Sequence, residues 1–157
     1  MQLVIPRETQ PGENRVSATP ETIKKLVRLG AEVVVETGAG VGAGFSDADF
    51  EAAGASIGSD RAALLASADM LLRLRKPELA EISQLKAGCI HVSYLDPFNE
   101  KELIKAFASQ GVTAVSMEMI PRSTRSQKMD ALSSQANLAG YVCLLYTSDA
   151  ADDTPCV

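Results

Sequence analysis

The 157-residue chain has a single histidine, His91, and three cysteines, Cys89, Cys143 and Cys156. The cysteines show no C-x-x-C spacing, and one histidine cannot complete a set of metal ligands, so no metal site is expected. Basic charge is also scarce: 15 lysines and arginines face 20 acids, for a net charge of −5 and a pI near 4.9. A surface of that sign argues against nucleic acid as the main partner, because phosphate binding needs a clustered basic face. No apolar run approaches the ~20 residues that span a bilayer. The opening "MQLVIPRE" has neither the basic lead nor the apolar length of a signal peptide, so the expected location is cytoplasmic. Internal repeats and low-complexity linkers are missing too. What remains is an ordinary globular composition, 46% hydrophobic and 22% charged with mean hydropathy +0.04, long enough for one domain with a real core.

Short β-branched runs alternate with amphipathic stretches. "QLVI" (2–5) and "AEVVVET" (31–37) read as strands on either side of "TPETIKKLVRLG". In that helix Thr19 is the N-cap, Pro20 the first helical residue and Gly30 the stop, with Ile23, Leu26 and Val27 on one face. "SDADFEAAG" predicts a short helix with a Ser46–Asp49 capping box and Gly54 at its end. Helix 59–68 and strand 69–75 follow, then "PELAEISQLKAG", "CIHVSYL", "NEKELIKAFASQG" capped by Asn99 with Glu102, and "VTAVSME". "QKMDALSSQANLAGY" is the last helix. Strand, helix, strand at this spacing means βαβ units, hence an α/β fold with a parallel sheet and helices on both faces.

Four glycines, Gly38, Gly40, Gly42 and Gly44, alternate in "VETGAGVGAGFS". A dinucleotide fingerprint has the spacing G-x-G-x-x-G, follows the first strand and opens directly into a helix. This string has another spacing, follows the second strand, and the next helix is already capped by Ser46. It reads as a tightly turned, closely packed loop, Rossmann-related without the phosphate loop.

Three stretches carry a resemblance: "IPRETQPGENRVSATPETIKKLVRLGAEVVVETGAGVGAGFSDADFEAAGA", "ADMLLRLRKPELAEI" and "SMEMIPRSTRSQKMDALSSQANLAGY". Together they resemble the first domain of the alanine dehydrogenase and pyridine-nucleotide transhydrogenase family, over about residues 1–141. In that family the glycine fingerprint lies in a following domain. The third stretch is most similar to the transhydrogenase branch. Two residues separate the branches. The resemblance puts the alanine dehydrogenase catalytic lysine on Arg75 and its catalytic histidine on Asp96, while the arginine of its N-R-V stretch is kept as Arg15. Arginine does not release its proton near neutrality, and aspartate does not titrate there as imidazole does. Hydride passing directly between two nicotinamide rings needs orientation and exclusion of water instead.

The resemblance implies an NAD(H)-binding α component of a proton-translocating transhydrogenase. Its partners would be an NADP(H)-binding component, a membrane component and a second α subunit, placing it peripheral to the inner or plasma membrane. It implies a nicotinamide-contacting loop in "PRSTRSQKMDALSS", with Gln127 and Asp130 catalytic and Arg122, Gln127, Asp130 and Ser133 binding the cofactor. The residues by themselves also permit plainer roles. Arg122 and Arg125 can be solvated charges, Asp130 can favour the first turn of its helix, and Ser133 can lie on a helix face. His91 reads as a satisfied strand histidine, Lys76 as a surface charge, and Arg15 as either structural or cleft-facing. The alternatives are an amino-acid oxidoreductase of alanine dehydrogenase type and a non-catalytic docking or oligomerisation domain.

From residue 142 the composition shifts and helical periodicity is expected to end. "CLLYTSDAADD" (143–153) resembles a translated sequencing-library adapter, so 142–157 is read as a non-family tail. A fragment with half a cofactor site is expected to be inactive and to bind NADH weakly.

Overall fold

The computed structural model describes residues 1–152, with side chains as far as residue 144. It has two compact units, Met1–Ser116 and a second from Met117 onward. The first is built on six parallel strands: β1 (Gln2–Ile5), β2 (Glu32–Glu36), β3 (Ser56–Gly58), β4 (Met70–Leu72), β5 (Ile90–Ser93) and β6 (Thr113–Ser116). Their spatial order is β3-β2-β1-β4-β5-β6, that of a doubly wound sheet whose direction of progression reverses between β1 and β4. Such a reversal opens a crevice at the carboxyl ends of the strands.

The twofold period of the strands sends alternate residues into two cores. Leu3 and Ile5 of β1, with Val33 and Val35 of β2, meet Ile23 of α1 (Pro20–Arg28) and Phe50 of α2 (Asp47–Ala52). Val4, Val34 and Leu71 turn to the other face. There they meet Leu64 and Leu65 of α3 (Arg61–Ser67), Ile82 of α4 (Leu79–Ile82), and Leu103 and Phe107 of α5 (Lys101–Gln110). Helices therefore cover both faces, as the continuous apolar strands predict.

The predicted caps at Thr19 and at Ser46–Asp49 are present. Two expectations are corrected, and one element was not expected. Asn99 does not cap α5, whose N-cap position is Glu100. Asn99 instead donates to both oxygens of Asp96, a residue at φ +50° that turns the chain after β5. The strand expected to reach Arg75 ends at Leu72, because the Glu8 carboxylate takes the Leu74 and Arg75 N–H groups at 2.6 and 3.2 Å. β3 is not predicted by the sequence pattern; with three residues at the sheet edge it has too little periodicity to read.

The glycine string is a turn of 3-10 helix at Val41–Ala43 between positive-φ glycines. Its next carboxylate, Asp47, accepts from the Gly38 N–H (2.8 Å) and Thr37 hydroxyl (2.6 Å). A Cβ on Gly40 would lie 2.4 Å from the buried Phe50 ring and 2.9 Å from Cβ of Phe45. Gly40→Ala is therefore expected to destabilise by about 1–3 kcal/mol, read as a lower urea midpoint; an unchanged midpoint would show that the ring yields freely.

In the second unit, 3-10 turns at Met117–Met119 and Gln127–Met129 precede α6 (Ala131–Asp152). The predicted last helix thus begins four residues later than its sequence pattern. It also continues past Tyr141, beyond the point at which the periodicity fades. Residues 141–152 contain no proline or glycine to stop it. Of the expected tail, residues 153–157 lie outside the described residues.

Candidate functional site

Four of the residues expected in the nicotinamide loop lie between Pro121 and the first turn of α6. Ser126, buried, organises the loop. Its hydroxyl contacts the Ser123 hydroxyl at 2.7 Å and donates to the Pro121 carbonyl, while its carbonyl accepts from the Met129 N–H at 2.8 Å. The next turn is closed by Asp130. One of its oxygens accepts from the Ser133 N–H at 2.9 Å and the other from the Ser133 hydroxyl at 2.6 Å. This is an N-cap, with the capped amide three residues along. The Ser133 hydroxyl bond, then its backbone bond, and then the Arg122 charge hold the Asp130 carboxyl below its ordinary range, so it is an anion at neutral pH.

These turns leave a cavity of about 370 Å³ lined by Arg122, Ser123, Thr124, Gln127 and Asp130. Arg122, Gln127 and Asp130 converge on it; Ser133 is not in its wall and acts on Asp130. The wall offers a guanidinium, a carboxamide with donor and acceptor, hydroxyls and a carboxylate. The cavity has a volume in the range of small-molecule sites and an all-polar lining. It is too small and lacks the phosphate cradle for a whole dinucleotide. Ser126 does not stand out in the sequence; its S-x-x-S pairing with Ser123 is the signal that could have found it.

The crevice at the β1–β4 reversal holds charged residues whose roles the sequence leaves open. The Glu13 carboxylate, with a side chain only 3% exposed, accepts from Arg15 Nε and Nη2, both at 2.7 Å, and from Arg75 Nε at 2.8 Å. The Arg15 bonds, aided by Arg75 and opposed by burial, pull Glu13 down to about 2. Lys76 pairs with Glu100.

Deeper in, Arg61 joins Glu36 (2.5 Å) to Glu81 (2.7 Å), and Arg73 donates to the other Glu81 oxygen at 2.7 Å. Burial pushes Glu81 up, but the bonds from Arg73 and Arg61 outweigh it and leave the group below its usual range. His91 is fully buried against Phe107, with ring centroids 4.9 Å apart. Its Nδ1 lies 3.5 Å from the Ser93 hydroxyl and its Nε2 has no partner among the described residues, which corrects the expectation of a satisfied strand histidine. Among the described residues no group of three His, Cys, Asp or Glu side chains could hold a metal ion. No described helix is long and apolar enough to cross a membrane.

Residues 4–139 match the family model "Alanine dehydrogenase/PNT, N-terminal domain". The chain is 45% identical over 141 residues to NAD(P) transhydrogenase subunit alpha of Cereibacter sphaeroides, covering 90% of this chain and 27% of that protein. It is 40% identical over 120 residues to alanine dehydrogenase of Halomonas elongata, covering 76% and 32%. Among solved structures, transhydrogenase from Sinorhizobium meliloti superposes with TM-score 0.86 at 44% identity, over 92% of this chain and 43% of that one. The chain thus spans well under half the length of these relatives. With the parallel sheet, the loop before α6 and these matches together, the chain belongs to the alanine dehydrogenase/pyridine-nucleotide transhydrogenase N-terminal domain family.

Proposed function

We propose that this chain is the opening portion of the NAD(H)-binding α component of a transhydrogenase that passes hydride between NAD(H) and NADP(H). The carrying observation is the convergence of Arg122, Gln127 and Asp130 on one cavity. When bound, NAD(H) supplies or accepts the hydride. The chain's own residues orient the nicotinamide: Gln127 reads the carboxamide, Arg122 binds cofactor oxygens, and Asp130 fixes the electrostatic balance beside Arg122. No proton needs to move at this loop.

The arrangement at positions 75 and 96 supports the same branch over amino-acid oxidation. Arg75 Nε is bonded to Glu13 and the Asp96 carboxylate accepts from Asn99, and neither residue type is a neutral-pH acid/base. In the complete assembly NADP(H) would lie on a partner component, a second α subunit would pair with this one, and proton movement would occur in a membrane component. Residues 142–157 would stand outside the natural domain, a reading that rests on the composition of "CLLYTSDAADD" (143–153). Bases under 143–153 that are not adapter sequence would refute it.

The test is hydride transfer from NADH to an NADP analogue by the completed reading frame with its NADP-binding component. Asp130→Asn retains an N-cap acceptor while removing the charge. It is expected to leave the melting temperature nearly unchanged and to lower transfer by roughly 10–100-fold. Arg122→Ala is expected to weaken NADH binding. Full transfer by Asp130→Asn, or alanine-dependent NADH formation by the unaltered protein, would overturn the reading. The 157-residue chain alone should bind NADH weakly; submicromolar affinity would contradict this.

A further inference from the structure

The sheet face that carries Val4 and Leu71 changes chemistry toward the carboxyl ends of β4, β5 and β6. The register aligns Leu71, His91 and Ala114 across these strands. Two positions further along, on the same face, stand Arg73, Ser93 and Ser116. Ser93 pairs with Ser116, and the Arg73 N–H continues the ladder onto the Val92 carbonyl at 3.1 Å. A polar layer therefore follows the apolar one, and the His91 ring adjoins it. This layer is interior: His91 and Ser93 are fully buried, and the Arg73 side chain is enclosed.

The hydrogen bonds of the layer do not close on themselves. Arg73 Nη1 donates to Glu81 at 2.7 Å, and His91 Nδ1 lies 3.5 Å from the Ser93 hydroxyl. Arg73 Nε, His91 Nε2 and the Ser116 hydroxyl are buried with no partner among the described residues. Each buried polar group left unmet costs about 1–3 kcal/mol, so three in one layer point to a further partner. The charges define its chemistry. Arg61 and Arg73 are already matched by Glu36 and Glu81, and an added ion would have no counter-charge. Burial, then the Arg73 charge, keeps the His91 ring neutral at neutral pH, so one ring nitrogen donates and the other accepts. The partner must be neutral and must both accept and donate. Water does both, and it satisfies buried polar groups of this kind in protein interiors.

We propose that one enclosed water molecule completes this layer, accepting from Arg73 Nε–H and donating to His91 Nε2 and to the Ser116 hydroxyl. His91 then carries its proton on Nδ1, facing the Ser93 hydroxyl, because the bond made by one ring nitrogen sets the tautomer of the other. The water is a fixed part of the interior and not an opening to solvent. Through it the end of β4 is joined to β5 and β6 by side chains as well as by the backbone ladder. The site lies wholly in the first unit and does not depend on the hydride-transfer reading.

The test is nuclear magnetic resonance of the 157-residue chain with isotope-labelled histidine and arginine. His91 is its sole histidine, so a single imidazole is observed. Near neutral pH the nitrogen shifts are expected to show Nδ1 protonated and Nε2 bare. The ring C–H protons and the Arg73 Nε–H proton should cross-relax with water, with laboratory-frame and rotating-frame effects opposite in sign, as for a molecule held longer than the tumbling time of the protein. The double variant Ser93→Ala with Ser116→Ala should keep the imidazole signal, because it removes the hydroxyls whose exchange with solvent could imitate a bound water. A protonated Nε2 in the unaltered chain would overturn the proposal. So would the lack of water cross-relaxation at either the His91 ring or Arg73 Nε–H. Loss of the imidazole signal in a folded double variant would also overturn it, since a serine hydroxyl would then be its source.

Discussion

Glu81→Ala is expected to destabilise the first unit by about 3–5 kcal/mol, the range for removing one partner of a buried ion pair. The reason lies with the groups left behind. The Arg73 side chain is only 1% exposed and donates to Glu81. Arg61, 23% exposed, divides its bonds between Glu81 and Glu36. Without Glu81 the Arg73 guanidinium remains in the interior with no counter-charge, and Glu36 alone cannot reach both cations through Arg61. Against a domain stability of roughly 5–15 kcal/mol, that loss consumes much of the total. Urea unfolding of the variant should show a much lower midpoint with an unchanged slope. The double variant Glu81→Leu with Arg73→Leu should recover part of the loss, since it removes the charges as a pair. A single variant within about 0.5 kcal/mol of the unaltered chain would mean that water reaches Arg73 and that the network is not a buried one.

His91 is expected to make the same unit acid-sensitive from about pH 6.5 downward, above the range in which Glu13 responds. Burial, with the neighbouring Arg73 charge adding to it and Glu81 opposing, lowers its pKa from 6.5 to about 3. The folded chain therefore binds this proton only near pH 3, whereas the unfolded chain binds it near 6.5. Between those values the unfolded state holds more protons, so stability rises with pH. The contribution is complete above about 6.5 and is lost as pH falls toward 3, with an upper bound of roughly 4–5 kcal/mol. Glu13, held down to about 2 from 4.5 by Arg15 and Arg75, adds its own loss only below about 4.5. Comparing urea midpoints at about pH 7.5 and about pH 5 isolates the histidine. His91→Gln should flatten that difference while keeping the loss at more acidic pH. An identical difference in His91→Gln would show that another group carries it.

The fold is legible because its signals are redundant. β1 and β2 are both β-branched, α1 and α2 are capped by side chains that do cap them, and the spacing between strands leaves little topology but a parallel one. Where a single signal stands alone it fails. Asn99 looks like a cap until Asp96, three residues earlier, claims its amide. β4 looks seven residues long until a glutamate some sixty positions away takes two of its amides. The site divides in the same way. The convergence of Arg122, Gln127 and Asp130 is accessible because they are close in sequence and resemble a known loop. The Glu13–Arg75 bond and the Glu36–Arg61–Glu81–Arg73 network join residues 8 to 62 positions apart. No local period or motif announces such pairs, since only the crossing of loops at the sheet reversal brings them together. The His91 nitrogen without a partner among the described residues is likewise a property of packing, and a lone histidine in an apolar strand does not reveal it.

The two hydrogen bonds that Ser133 donates to Asp130 make the cavity's negative charge an extension of a helix. Its position is set by the first turn of α6, so the charge is indexed to helical register. A change that frays that turn, such as a proline at Ser134, would displace the anion from Arg122 although every cavity-lining residue was still present. Substitutions that impair this loop should therefore extend several residues into a helix that lines none of the cavity, and helix formation and electrostatic tuning should fail together.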